Sequence, residues 1–234
     1  MQFITLLALV ASATAAALPD GSLEQRATTY SAAGASTLAA AKAAFTSAKI
    51  VPDLIPSFNP DVAVMANFNG KQVTLGNTFN TLETAMEPSI SFTAEPSFDP
   101  STTKYTIFLV DPDAPGPAAP ILKDFLHVII SNAQPTCITT QNRTMVAPYQ
   151  PLTPFSVAAH RYVFLVYRQP PNYTPPVDIH YAPGVRNNFD LNAYVAEAGL
   201  MGPVGGNYLL EGLAQDVCLV TPNCTQNGIG YPTS

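Results

Sequence analysis

Charged side chains are scarce: Asp, Glu, Lys and Arg make up 11% of the 234 residues, less than half the usual share of about 25%. The ten Lys and Arg residues form no cluster, and the formal net charge is −6. This excludes a surface that holds nucleic acid by neutralising phosphates and one that adsorbs to an anionic bilayer face. Solubility must come from Ser, Thr, Asn and Gln, or from sugar. Cysteine is limited to Cys137, Cys218 and Cys224, whose spacing matches no ordinary zinc finger or ribbon. No metal or other cofactor is expected. Beyond the N-terminus no apolar run reaches membrane-spanning length, and no internal repeat is visible. There is no G-x-S-x-G nucleophile elbow, and no serine sits beside His127 or His160 in sequence. The Gly-rich GLMGPVGGN lacks the strand and lysine of a phosphate cradle and reads as a turn leading into a last strand.

What is present begins with a leader. MQFITLLALVASATAAALPDG has an apolar run from Phe3 to Val10, then Ala15-Ala16-Ala17 as a small-x-small cleavage site. Residues 1–17 therefore read as a secretory signal, and the mature protein as secreted. Asn142, Asn172 and Asn223 open N-x-S/T sequons, which fit export. In an oxidising compartment three cysteines imply one disulfide and one free thiol. Cys218 to Cys224 is the shortest closure, and Cys137 to either is equally allowed.

Residues 18–48 form an N-terminal extension: a polar stretch to Arg26 that reads as a pro-segment, then a helix capped by Ser36 or Thr37 and stopped by Pro52. Its apolar stripe (Leu38, Phe45, Ile50) is thin, so it is expected at the periphery. From Val62 the period changes to strands. VAVMANF and KQVTL flank Asn69-Gly70, a strong hairpin signal, and PSISFTA is another strand. YTIFLV, HVII and RYVFLVY are apolar on both faces and so belong in the middle of the fold. Proline-rich loops separate them, and His180 is placed in one as a surface residue. A second helix is capped by Asn188 or Asp190 and ended by Gly199. The expected fold is mainly β, a sandwich of two sheets with helices at its ends, and residues 214–234 are a polar tail.

The chemistry gathers at strand ends. Asp111 closes a strand whose alternation is Tyr105, Ile107, Leu109, Asp111. A carboxylate beside a core needs hydrogen bonds, and Pro112 and Pro115 supply no N–H. His127 stands at the start of the next strand. His160 and Tyr162 open the third and share one face. If those strands are neighbours, Asp111, Asp113, His127, His160 and Tyr162 converge. Imidazoles and a phenol donate hydrogen bonds to an anion, while carboxylates orient the imidazoles or meet an ammonium.

At these residues the chain resembles the phosphatidylethanolamine-binding protein family: DPDAP after an apolar strand, a histidine opening the next strand, then HRYVFLVYRQ. KIVPDLIPSFNP and YVAEAGLMGPVGGNYLLEG extend the likeness over residues 49–213. It implies a β-sandwich with a small cavity for phospholipid headgroups or phosphate-like anions. That cavity would be lined by Asp111, Asp113, His127, His160 and Tyr162 and walled by Pro112 and Pro115. It implies a non-enzymatic binding protein or, as the alternative, an inhibitor of a serine carboxypeptidase or other secreted or vacuolar protease; a serine hydrolase is the remaining reading. Ala158, Val128 and Gly116-Pro117 depart from the family pattern, the last removing a cation often seen after DPDAP.

Overall fold

The computed structural model describes residues 31–135, 143–176 and 186–213. The leader, the pro-segment, Asn142, Asn223, His180, all three cysteines and the tail from 214 lie outside these residues.

The hairpin forms as its turn chemistry requires. Strands β1 (Val62–Phe68) and β2 (Lys71–Gln72) pair with Phe68 opposite Lys71. Asn69 and Gly70 both take positive φ, 49° and 96°, the signature of a type I′ turn. Two short strands follow, β3 (Thr78–Phe79) and β4 (Ser89–Phe92). The three apolar runs become β5 (Tyr105–Asp111), β6 (Phe125–Ala133) and β8 (His160–Arg168), with β7 (Thr144–Ala147) at the edge. They lie side by side in the order β8-β5-β6, and β5 is buried at every residue. Its two faces serve two cores, as the double-sided hydrophobicity predicts.

The expected pair of separate sheets is replaced by one. Among the described residues nine strands join in a single hydrogen-bonded sheet, β2-β1-β9-β8-β5-β6-β7, with β3 on β9 and β4 on β1. The link is β9 (Met201–Glu211), parallel to β1 and antiparallel to β8. It contains the glycine-rich stretch, which is strand and not turn. A Cβ on Gly205 would lie 2.4 Å from Val62 Cγ2, and one on Gly206 2.5 Å from Phe45 Cζ. Glycine is there because β1 and a helix come too close for any side chain. The sheet curls so that β1 and β4 cover one face of β5 and β8, enclosing Val64, Phe92, Ile107 and Phe164.

The other face is covered by helices. Helix α1 (Ala35–Ser47) begins at Gly34 with no side-chain cap, so neither Ser36 nor Thr37 serves. Nor is it peripheral: Phe45 is fully buried and stacks on Phe58 at 4.1 Å. One aromatic supplies the area that the thin stripe lacked. Pro52 falls in the single turn α2 (Ile50–Asp53). Helix α3 (Leu191–Glu197) is capped by Asp190, whose side chain accepts from Ala193 N at 2.9 Å, and Gly199 follows at φ 63°. No helix among the described residues is long and apolar enough to cross a membrane.

Candidate functional site

Because β8, β5 and β6 are neighbours, the ends of all three meet. His160 Nδ1 lies 2.7 Å from Asp111 Oδ2, and Asp111 Oδ1 accepts from Asp113 N at 2.7 Å. The missing proline donors are thus replaced by a backbone turn and an imidazole. The Tyr162 ring lies 12° from parallel to His160 at 5.9 Å and edge-on to His127 at 5.3 Å. These four side chains form one row, Asp111, His160, Tyr162, His127, and each is at most 4% exposed. Pro112 is buried and Pro115 half-buried beside them.

Asp113 is diverted. Its carboxylate receives Arg161 Nη2 at 2.7 Å, Arg161 Nε at 2.9 Å and Arg161 N at 2.8 Å. Arg161 alternates onto the opposite face from His160 and Tyr162. There it also binds Asp53 Oδ2 and the Ala48 carbonyl. Burial alone would ease the proton off this guanidinium, but Asp113 and Asp53 outweigh it and hold Arg161 firmly charged.

His127 differs from expectation in the direction of its hydrogen bond. Its Nδ1–H donates to the Gln150 carbonyl at 2.8 Å, which leaves Nε2 unprotonated and able to accept. Burial holds the imidazole neutral, down to about 4 from an ordinary 6.5. The Tyr162 hydroxyl is pushed up, chiefly by burial and then by the charges of Asp111 and Glu211, so it keeps its proton and donates. The site therefore offers a phenol donor and an imidazole acceptor, not two imidazole donors.

Besides Arg161, two residues escaped sequence reasoning. Arg186, from the VRNNF segment before α3, is only 5% exposed. Its Nη2 donates to the Pro148 carbonyl at 3.1 Å and its Nη1 weakly to the Leu126 carbonyl at 3.4 Å; its Nε has no partner. No carboxylate pairs with it among the described residues, and it faces His127 closely enough to help keep that ring neutral. A buried guanidinium without a counter-ion is rare. Nothing in its loop-like sequence setting marks it as buried. The second is Ser156, four residues before His160, with Oγ 3.0 Å from His160 Nε2. Its spacing was the available signal, since a short loop can return a side chain to a strand's first residue.

Two groups near this rim, buried His127 and half-buried Asp124, titrate in opposite senses. Unfolded His127 takes a proton near 6.5 and folded His127 only near 4. Its contribution is intact above pH 6.5, and acid removes roughly 3 kcal/mol by pH 4. The Asp124 carboxyl is pushed up by burial from 3.8 to about 6, and its Oδ1 has no partner. The folded state then binds that proton first, so acidification between 6 and 3.8 returns a similar roughly 3 kcal/mol. We expect Asp124→Asn to lose about 3 kcal/mol more than wild type between pH 7 and pH 4 in urea unfolding. Equal losses would refute the raised Asp124 carboxyl.

Comparison with known proteins agrees with this frame. The phosphatidylethanolamine-binding protein family model matches residues 69–209. The chain is 31% identical over 162 residues to CEN-like protein 1 of Nicotiana tabacum, covering 69% of this chain and 87% of that one. It is 34% identical over 168 residues to a 26 kDa secreted antigen of Toxocara canis, covering 70% of this chain and 61% of the antigen. Among solved structures, a carboxypeptidase Y inhibitor in complex with its cognate proteinase superposes with a TM-score of 0.65 at 20% identity, over 75% of this chain and 96% of that one. A phosphatidylethanolamine-binding protein from Plasmodium vivax gives 0.61 at 23% identity, over 73% and 96%.

Proposed function

This chain belongs to the phosphatidylethanolamine-binding protein family, and from that premise we propose that it is a secreted binding protein for a small phosphate-bearing headgroup or anion. Arg186 carries the reading: a buried cation with no carboxylate partner among the described residues gains most from an anion that replaces the water it has lost. Tyr162 donates alongside it, and His127 Nε2 accepts from a P–OH or an ammonium. Asp111, held against His160, is the acidic side chain proposed to face the ammonium end of a zwitterion. Export is supported by the leader-like residues 1–17 and by the secreted relative.

Titration with phosphoethanolamine, followed through histidine ring resonances, tests this. The His127 resonances should move at millimolar ligand, and unmoved resonances would count against the site. A second reading, inhibition of a serine carboxypeptidase, is favoured by the likeness to an inhibitor of that class. It predicts loss of carboxypeptidase turnover at equimolar protein, and full residual activity at tenfold excess would dismiss it.

A further inference from the structure

The geometry points to Ser156 as a nucleophile for acyl transfer from carboxylic esters, served by His160 and Asp111. The three form an uninterrupted chain: Ser156 Oγ to His160 Nε2 at 3.0 Å, then His160 Nδ1 to Asp111 Oδ2 at 2.7 Å. His160 is fully buried and Asp111 is 3% exposed, whereas Ser156 is half-buried at the rim. That is the gradient such a relay requires, with the orienting acid inside and the nucleophile reachable. Asp111 is fixed in turn by Asp113 N. With Nδ1–H donated to Asp111, the Nε2 lone pair faces Ser156. The hydroxyl also reaches the Ala158 carbonyl at 2.6 Å. Its proton moves between carbonyl and imidazole by rotation about Cβ–Oγ, with no heavy atom displaced.

The surroundings fit an apolar acyl group. Phe155 and Val157, on either side of Ser156, are 80% and 60% exposed, an unusual use of large apolar side chains on a tight loop. Gly116 lies against the nucleophile: a Cβ there would be 3.1 Å from Ser156 Cβ and 3.4 Å from its Oγ. The Gly116 N–H has no acceptor among the described residues, and a donor to the developing oxyanion is what the reaction requires of this loop.

In the reaction Ser156 Oγ bonds to the ester carbonyl carbon while its proton passes to His160 Nε2. The tetrahedral intermediate expels the alcohol, which leaves with that proton. Water then attacks the acyl-serine, His160 taking and returning one proton, and the carboxylic acid departs. This goes beyond the headgroup reading and does not depend on Arg186.

The test uses the full-length secreted protein with an alkyl fluorophosphonate, read by intact-protein and peptide mass spectrometry, and with p-nitrophenyl butyrate. Wild type should gain one phosphonyl group on the peptide containing Ser156, with loss of fluoride. Ser156→Ala should gain none while melting at the same temperature, and His160→Gln should slow both labelling and nitrophenol release at least about a hundredfold. Phosphoethanolamine shifts should persist in Ser156→Ala, so that failure of the two sites is told apart. Absence of labelling in folded wild type, or equal labelling of Ser156→Ala, overturns the assignment.

Discussion

Arg186→Met is expected to weaken phosphoethanolamine binding roughly ten- to a hundredfold and to leave the fold standing. The first part follows from charge-assisted hydrogen bonds, each worth about 1.5–3 kcal/mol. The second follows from what the guanidinium does without a ligand. It satisfies the Pro148 carbonyl and, weakly, that of Leu126, but it holds a charge in the interior with no carboxylate among the described residues to offset the desolvation. Methionine matches its stem and removes that charge. The lost carbonyl donors cost about 1–3 kcal/mol, and relief of the buried charge offsets much of this. Isothermal titration and urea unfolding of the same sample decide the matter. A variant that loses several kcal/mol of stability but binds normally would make Arg186 a tether between β6 and the 148–150 loop, and the headgroup reading would lose its cation.

The central strands were legible because their hydrophobicity is uninterrupted and because Asp, His and Tyr stand at their ends. Alternation along β5 placed Tyr105, Ile107 and Leu109 in one core and, by extension, Asp111 on that face. Asn69-Gly70 and Asp190 were legible because turn and cap chemistry is local. What sequence did not disclose is whatever depends on distant segments meeting. The GPVGGN stretch has the composition of a turn, and only the approach of Val62 and Phe45 explains Gly205 and Gly206. That same β9 pairs with both β1 and β8, which makes the sheet continuous. At the site, residue types were readable but partner choice was not. Asp111 and Asp113 look equivalent in DPDAP, yet one turns to His160 and the other to Arg161. Within HRY, His160 and Tyr162 carry the readable chemistry, and nothing local marks Arg161 as the partner of Asp113.

That divergence makes Asp113 the sharpest test of what the DPDAP turn does. Asp113→Ala should cost about 3–5 kcal/mol, because it strips a largely buried guanidinium of its bidentate partner. The side chains of Asp113 and Arg161 are 5% and 16% exposed, and Asp53, at 43%, is too wet to compensate. Arg161→Met should cost a similar amount. The double variant should fall well short of the sum, with a coupling of about 2 kcal/mol or more, because neither charge then remains alone. Asp113→Asn keeps an acceptor for Arg161 N and removes the charge, so it separates the two roles. If Asp113 holds the loop against α2, Asp113→Asn loses stability and its folded fraction binds phosphoethanolamine with near wild-type affinity. If it touches the ligand, affinity falls while the melting temperature holds. The structure favours the first outcome, since three donors from Arg161 already occupy both carboxylate oxygens. The turn would then position Asp111, through the Asp113 N–H, while its second aspartate anchors that turn to the N-terminal helices.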